Sequence, residues 1–106
     1  MDIEKVQPEI KKYLQNVEKR IRIKEALLFG SLAEGKTSET SDVDIIVVST
    51  DFEKLDPDER ARLLYRASVG FPYDLHVFGM TPDELRDASN LTTIGKVINS
   101  KTISIH

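Results

Sequence analysis

Two short apolar runs constrain this chain more than any other feature. They are Ala26-Leu27-Leu28-Phe29 and the stretch from Val43 to Val48, interrupted only by Asp44. Both are too short for helices, and the second is rich in branched residues, so both are read as interior strands, the first over Ile23 to Phe29. Buried strands need cover, and the remaining sequence supplies it. Val6, Ile10, Leu14, Val17 and Ile21 recur every three or four residues and predict one helix over Ile3 to Arg20, with Tyr13 at the edge of its apolar stripe. Pro8 fits only the first turn of such a helix. Asp56-Pro57-Asp58-Glu59 is a helix start: a capping aspartate, a proline at the first helical position and a glutamate three beyond the cap. That helix carries Ala61, Leu64 and Ala67, widened by Leu63, and ends at Gly70 and Pro72.

Tyr73 to Phe78 alternates as a third strand, and Thr81-Pro82-Asp83-Glu84 repeats the helix-start signal. Leu91 to Asn99 has a weak helical pattern through Ile94, Val97 and Ile98, and the closing KTISIH suits a short edge strand with Ile103 and Ile105 inward. Residues Leu32 to Glu34 make one helical turn stopped by Gly35. The order predicts an α/β (α+β) fold, a small mixed β-sheet with helices packed mainly on one face. With 106 residues and no linker or repeat, the expectation is a single domain over residues 1–106.

Composition narrows the function. The net charge is −3, with basic and acidic residues well mixed, which is not the footprint of a non-specific nucleic-acid binder. An anionic ligand would need local help, most simply from divalent cations. The absence of cysteine excludes disulfide scaffolds, thiolate zinc sites and thiol catalysis. The start, MDIEKVQPEI, has no signal-peptide core, and no apolar run approaches membrane-spanning length, so a cytoplasmic location is expected.

Asp42 and Asp44 stand at the mouth of the second strand, two residues apart and therefore on one face. Asp74 occupies the matching end of the third strand, on the side of His76 and Phe78. If the two strands are neighbours, Asp74 stands beside the pair. Ionised carboxylates so gathered repel one another, and divalent cations would relieve the repulsion while bridging phosphate oxygens. Gly30-Ser31 has the complementary chemistry, since glycine lets the backbone approach an anion and the following amides and hydroxyl can meet phosphate. Lys36, in the polar loop KTSETS, is within reach of the same place. Taken singly, each feature has an ordinary structural explanation: a turn, a solvated strand edge, a surface histidine. Lys19, Arg20, Arg22 and Lys24 read as a solvated helix end. It is the combination that points to phosphate chemistry.

At these residues the chain resembles a minimal nucleotidyltransferase of the DNA polymerase beta superfamily. Gly30-Ser31-Leu32-Ala33-Glu34-Gly35 resembles that family's G-S-x-A-x-G loop, Ser41-Asp42-Val43-Asp44 its S-D-x-D element, and Asp74 its third carboxylate on a later strand. The resemblance runs from about Ile21 through Val77. It implies Asp42, Asp44 and Asp74 as catalytic residues and ligands of two Mg2+ ions, with Gly30, Ser31, Lys36 and Ser41 receiving the nucleotide. The implied reaction is transfer of a nucleoside monophosphate, AMP from ATP, to a hydroxyl group with release of pyrophosphate. Many relatives carry arginine in the loop where this chain has Leu32 and Glu34. Similar minimal proteins pair with helical HEPN toxins, some as antitoxins that transfer AMP to a toxin tyrosine. That implies a toxin–antitoxin setting with a small helical protein partner. A non-catalytic module that neutralises its partner by covering it is the alternative from another class. The nucleotide-binding subunit of a two-chain transferase is a third reading.

Overall fold

The computed structural model of the chain describes residues 3–33, 42–91 and 102–106. Helix α1 (Ile3–Glu18) buries Val6, Ile10, Tyr13, Leu14 and Val17 along the expected stripe. Pro8 lies inside this helix rather than at its start. A proline in a helix interior costs about 3 kcal/mol. Val6 and Ile10, 0% and 1% exposed on either side of it, each gain roughly 1.5–3 kcal/mol by burial. Packing therefore outweighs the local penalty, and the helix runs through the proline.

Strand β1 (Glu25–Phe29) follows, then the single turn α2 (Gly30–Ala33) and strand β2 (Asp42–Val48). A 3-10 helix over Thr50–Lys54, absent from the sequence reading, turns the chain away from β2 and buries Phe52. Its cap is Ser49, fully buried, whose Oγ accepts from the Asp51 amide at 3.1 Å and donates to the Arg22 carbonyl at 2.6 Å. Helix α3 (Pro57–Arg66) opens with the predicted capping box. The Glu59 amide donates to Asp56 Oδ1 at 2.8 Å, and the Asp56 amide donates to Glu59 Oε1 at 3.4 Å. Strand β3 (Asp74–Met80), helix α4 (Pro82–Leu91) and the short strand β4 (Ile103–Ser104) complete the described fold. The weak helical pattern over residues 92–99 lies outside the described residues.

The four strands form one mixed sheet in the order β3-β2-β1-β4. β1 is antiparallel to both β2 and β4, whereas β2 and β3 run parallel, joined by the crossover through α3. The main core lies on one face, where Ala26, Leu28, Val43, Ile45, Val47 and Val77 meet the buried residues of α1 and Leu64 of α3. Tyr13 fastens the two helices together: its hydroxyl donates to the Leu64 carbonyl at 2.8 Å, in the last turn of α3 where the helix has no backbone donor of its own. The opposite face carries a smaller cluster of Leu27, Phe29, Ile46, Val48 and Met80, with Leu85 of α4 against it. β2 is thus buried on both sides along most of its length, which explains its continuous apolar run. Only its first residues open to solvent, and the acids are there.

Candidate active site at the mouth of the sheet

The parallel register pairs Asp42 with Asp74, Asp44 with His76 and Ile46 with Phe78. On the other side of β2, Phe29 pairs with Asp44 and Leu27 with Ile46. Residues paired across neighbouring strands point to the same face. The smaller face is therefore graded along the strands: a row of Asp42 and Asp74, then Phe29, Asp44 and His76, then Leu27, Ile46 and Phe78, and beyond them Glu25, Val48 and Met80. Asp42 and Asp74 are exposed and Asp44 is half-buried. The three aspartates stand at the end where the apolar cover stops.

Gly30 brings the backbone onto this charge. Its φ of 78° lies in the left-handed region and bends the chain from β1 into α2. A Cβ at this position would collide with Asp44 Oδ2 and lie 3.2 Å from Asp44 Cγ. The Gly-Ser turn thus lies against the second carboxylate of the D-x-D element, a close approach open only to glycine. α2 itself contacts both β1 and β2, which anchors the turn over the mouth of the sheet.

The electrostatics follow from this placement. Burial pushes the Asp44 carboxyl above its ordinary value, with repulsion from Asp42 adding to the shift and the His76 ring working against it. His76 Nε2 lies 3.9 Å from Asp42 Oδ1, which places the imidazole beside the acid pair. In sequence, His76 is an ordinary packing or surface residue. The signal that could have raised it is the D-x-H spacing of Asp74 and His76, which repeats the D-x-D period one strand over.

Of the predicted site residues, Asp42, Asp44, Asp74 and Gly30 are brought to one end of one face. Ser31 is the second residue of α2. Lys36 and Ser41 lie outside the described residues. The three carboxylates are hard oxygen donors, in kind the ligands that Mg2+ takes, and Asp42 and Asp44 repel one another when ionised. Among the described residues, no group of three or more His, Asp or Glu side chains is placed so that it could hold a metal ion.

A family model described as a nucleotidyltransferase domain matches residues 10–101. Among solved structures, a candidate nucleotidyltransferase from Sulfolobus solfataricus aligns over 94% of this chain and 78% of its own, at a TM-score of 0.69 and 18% identity. A toxin–antitoxin structure with AMP-PNP aligns over 94% and 72%, at 0.64 and 22%. A tri-AMPylated Shewanella oneidensis HEPN toxin in complex with its MNT antitoxin aligns over 97% and 71%, at 0.57 and 19%. These identities speak for the fold alone. No curated protein matches the chain in sequence. The family match spans nearly the whole chain and takes in the Gly-Ser turn, the D-x-D strand and the strand of Asp74, and the chain belongs to the nucleotidyltransferase domain family.

Proposed function

We propose that this protein transfers a nucleoside monophosphate, AMP from ATP, to a hydroxyl of a partner protein, as the antitoxin of a HEPN/MNT toxin–antitoxin pair. The observation that carries the reading is the parallel β2–β3 register, with Asp74 beside Asp42 and the Gly30 backbone against Asp44.

In this reading the amides that follow Gly30, the Ser31 hydroxyl, Ser41 and Lys36 receive the triphosphate. Asp42, Asp44 and Asp74 hold Mg2+. When bound, the metal neutralises charge on the phosphates and lowers the pKa of the attacking hydroxyl. The chain's own residues orient the reactants. The acceptor oxygen forms its bond to the α-phosphorus while the bond from that phosphorus to the bridging oxygen breaks, and pyrophosphate leaves. The hydroxyl proton passes to the carboxylate of Asp74, which lies at the open end of the site and is exposed enough to meet a macromolecular acceptor. A net charge of −3, with basic and acidic residues mixed along the sequence, favours a protein acceptor over a nucleic-acid end. The likeness to solved toxin–antitoxin complexes, one of them AMPylated, supports the setting.

Labelled ATP, Mg2+ and the co-purified partner provide the test. Label should pass to the partner, and Asp42→Ala or Asp44→Ala should lower the rate at least 100-fold while fold and association persist (roughly the cost of removing a group that stabilises the transition state). Neutralisation of the partner by all variants, without nucleotide, would instead make the chain a binding module.

A further inference from the structure

The apolar side of the graded face has one open position. Leu27, Phe29, Ile46, Val48 and Met80 are all nine-tenths or more buried, yet Phe78, in the same rows, is 44% exposed. Its ring packs on Phe29 from one side, with centroids 6.2 Å apart and planes tilted by 35°. Among the described residues, the rest of the ring is left to solvent.

The position of this ring relative to the acids is fixed by the sheet. Phe78 lies one row beyond the Asp44–His76 pair on the same face, about 6–7 Å along the strand. A ribose bridges a gap of that size between the phosphate it carries and its base. An aromatic ring held from behind and bare in front is also a suitable platform for a nucleobase, because every base presents a π-face.

We infer that Phe78 is the base-side contact of the nucleotide site. The base stacks on the exposed face of its ring, while the phosphates reach the Gly30 turn and the carboxylates. The inference rests on the proposal that the acidic mouth binds a nucleoside triphosphate, and it adds the element that separates a nucleotide from bare polyphosphate. Stacking alone does not read base identity, so the contribution of Phe78 is the same for different purines.

Calorimetric titration of the full chain with Mg2+ and ATP, GTP or inorganic tripolyphosphate tests this. Phe78→Ala should weaken ATP and GTP alike by roughly ten- to a hundredfold. It should leave tripolyphosphate affinity within about twofold, and Phe78→Trp should keep or improve nucleotide affinity. Circular dichroism of both variants checks that the fold is retained, and Phe78→Trp carries the test if the alanine variant unfolds. Unchanged ATP affinity in Phe78→Ala overturns the inference while leaving the phosphate site intact, particularly if transfer to the partner falls, which would make Phe78 a docking residue. Parallel loss of tripolyphosphate also overturns it, by making Phe78 a support for the acids. Absence of ATP binding by the wild type, unaffected by Asp42→Ala, would overturn the nucleotide site itself.

Discussion

Gly30 meets two demands that no other residue meets together: a left-handed φ and the lack of a side chain beside Asp44. Gly30→Ala is expected to lose roughly 2–3 kcal/mol in urea denaturation, from backbone strain and steric overlap combined. It should also abolish transfer, because the Asp44 carboxylate is the group that has to give way. Asp44 works in the opposite direction on stability. Its folded-state value is raised above the ordinary 3.8, so its contribution is most favourable below that value and declines as pH rises through the folded value. At neutral pH the ionised carboxylate is a net cost. Asp44→Asn should therefore raise the melting temperature at pH 7 without added metal, and the gain should shrink as the pH is brought below 4 (the ordinary Asp range). A melting temperature unchanged or lowered at pH 7 would contradict the origin given for the shift.

At the scale of elements, the second helix start mirrors the first. The Thr81 amide donates to Glu84 Oε1 at 2.8 Å, and the Glu84 amide donates to Thr81 Oγ1 at 3.1 Å. Glu84 Oε1 also accepts from Arg60 Nη1 at 2.6 Å. That guanidinium further donates to the carbonyls of Phe52 and Leu55 and lies over the Phe52 ring, so one arginine joins the 3-10 helix, α3 and α4. Desolvation raises the Glu84 carboxyl, but the bonds to Thr81 and Arg60 together outweigh it and hold it below the ordinary value of 4.5. The stability tied to this shift is thus present above 4.5 and lost as the pH falls through the depressed value. Glu84→Gln keeps an acceptor for the Thr81 amide and removes only the charge, so it should cost a few tenths to about 1 kcal/mol at neutral pH, the worth of a half-exposed ion pair, and nothing at pH 2–3 (below the carboxylate range). Equal cost at both pH values in thermal melts would show that charge is not involved.

These elements also mark where the sequence was readable. The capping boxes at Asp56 and Thr81, the stripe of α1, the two apolar strands and the inward Ile103 announce themselves through periodicity and fixed spacing, which are local properties. The alternation in the third strand likewise placed Asp74 with His76 and Phe78. What periodicity does not carry is which strands are neighbours and in which direction. The parallel β2–β3 register depends on the crossover through α3, the contact of Gly30 with Asp44 depends on how β1 lies against β2, and both are products of tertiary packing. The 3-10 helix escaped because TDFEK has no stripe; it exists through Ser49 and through Phe52 filling the core. Gly79 was unreadable for the same reason. A Cβ there would lie 3.0 Å from both Leu64 and Phe52, a constraint visible only once those side chains are in place.

For the molecule as a whole, the sheet is a fixed frame and the helices on its main face are held to one another as well as to it. Tyr13 is the central tie, 2% exposed, packed against Phe71 and bonded to the end of α3. Tyr13→Phe should lose about 1–2 kcal/mol, because it leaves the Leu64 carbonyl buried without a donor. Denaturation midpoints would register it, and the transfer reaction should be unaffected at temperatures where the variant stays folded. Burial, with Tyr65 adding, pushes the Tyr13 hydroxyl far above the ordinary phenol value of 10.0. In a chain with three tyrosines and no tryptophan, this phenol is a built-in optical gauge. Its phenolate absorbance should stay silent during alkaline titration until α1 parts from α3, and then rise together with the loss of far-ultraviolet ellipticity.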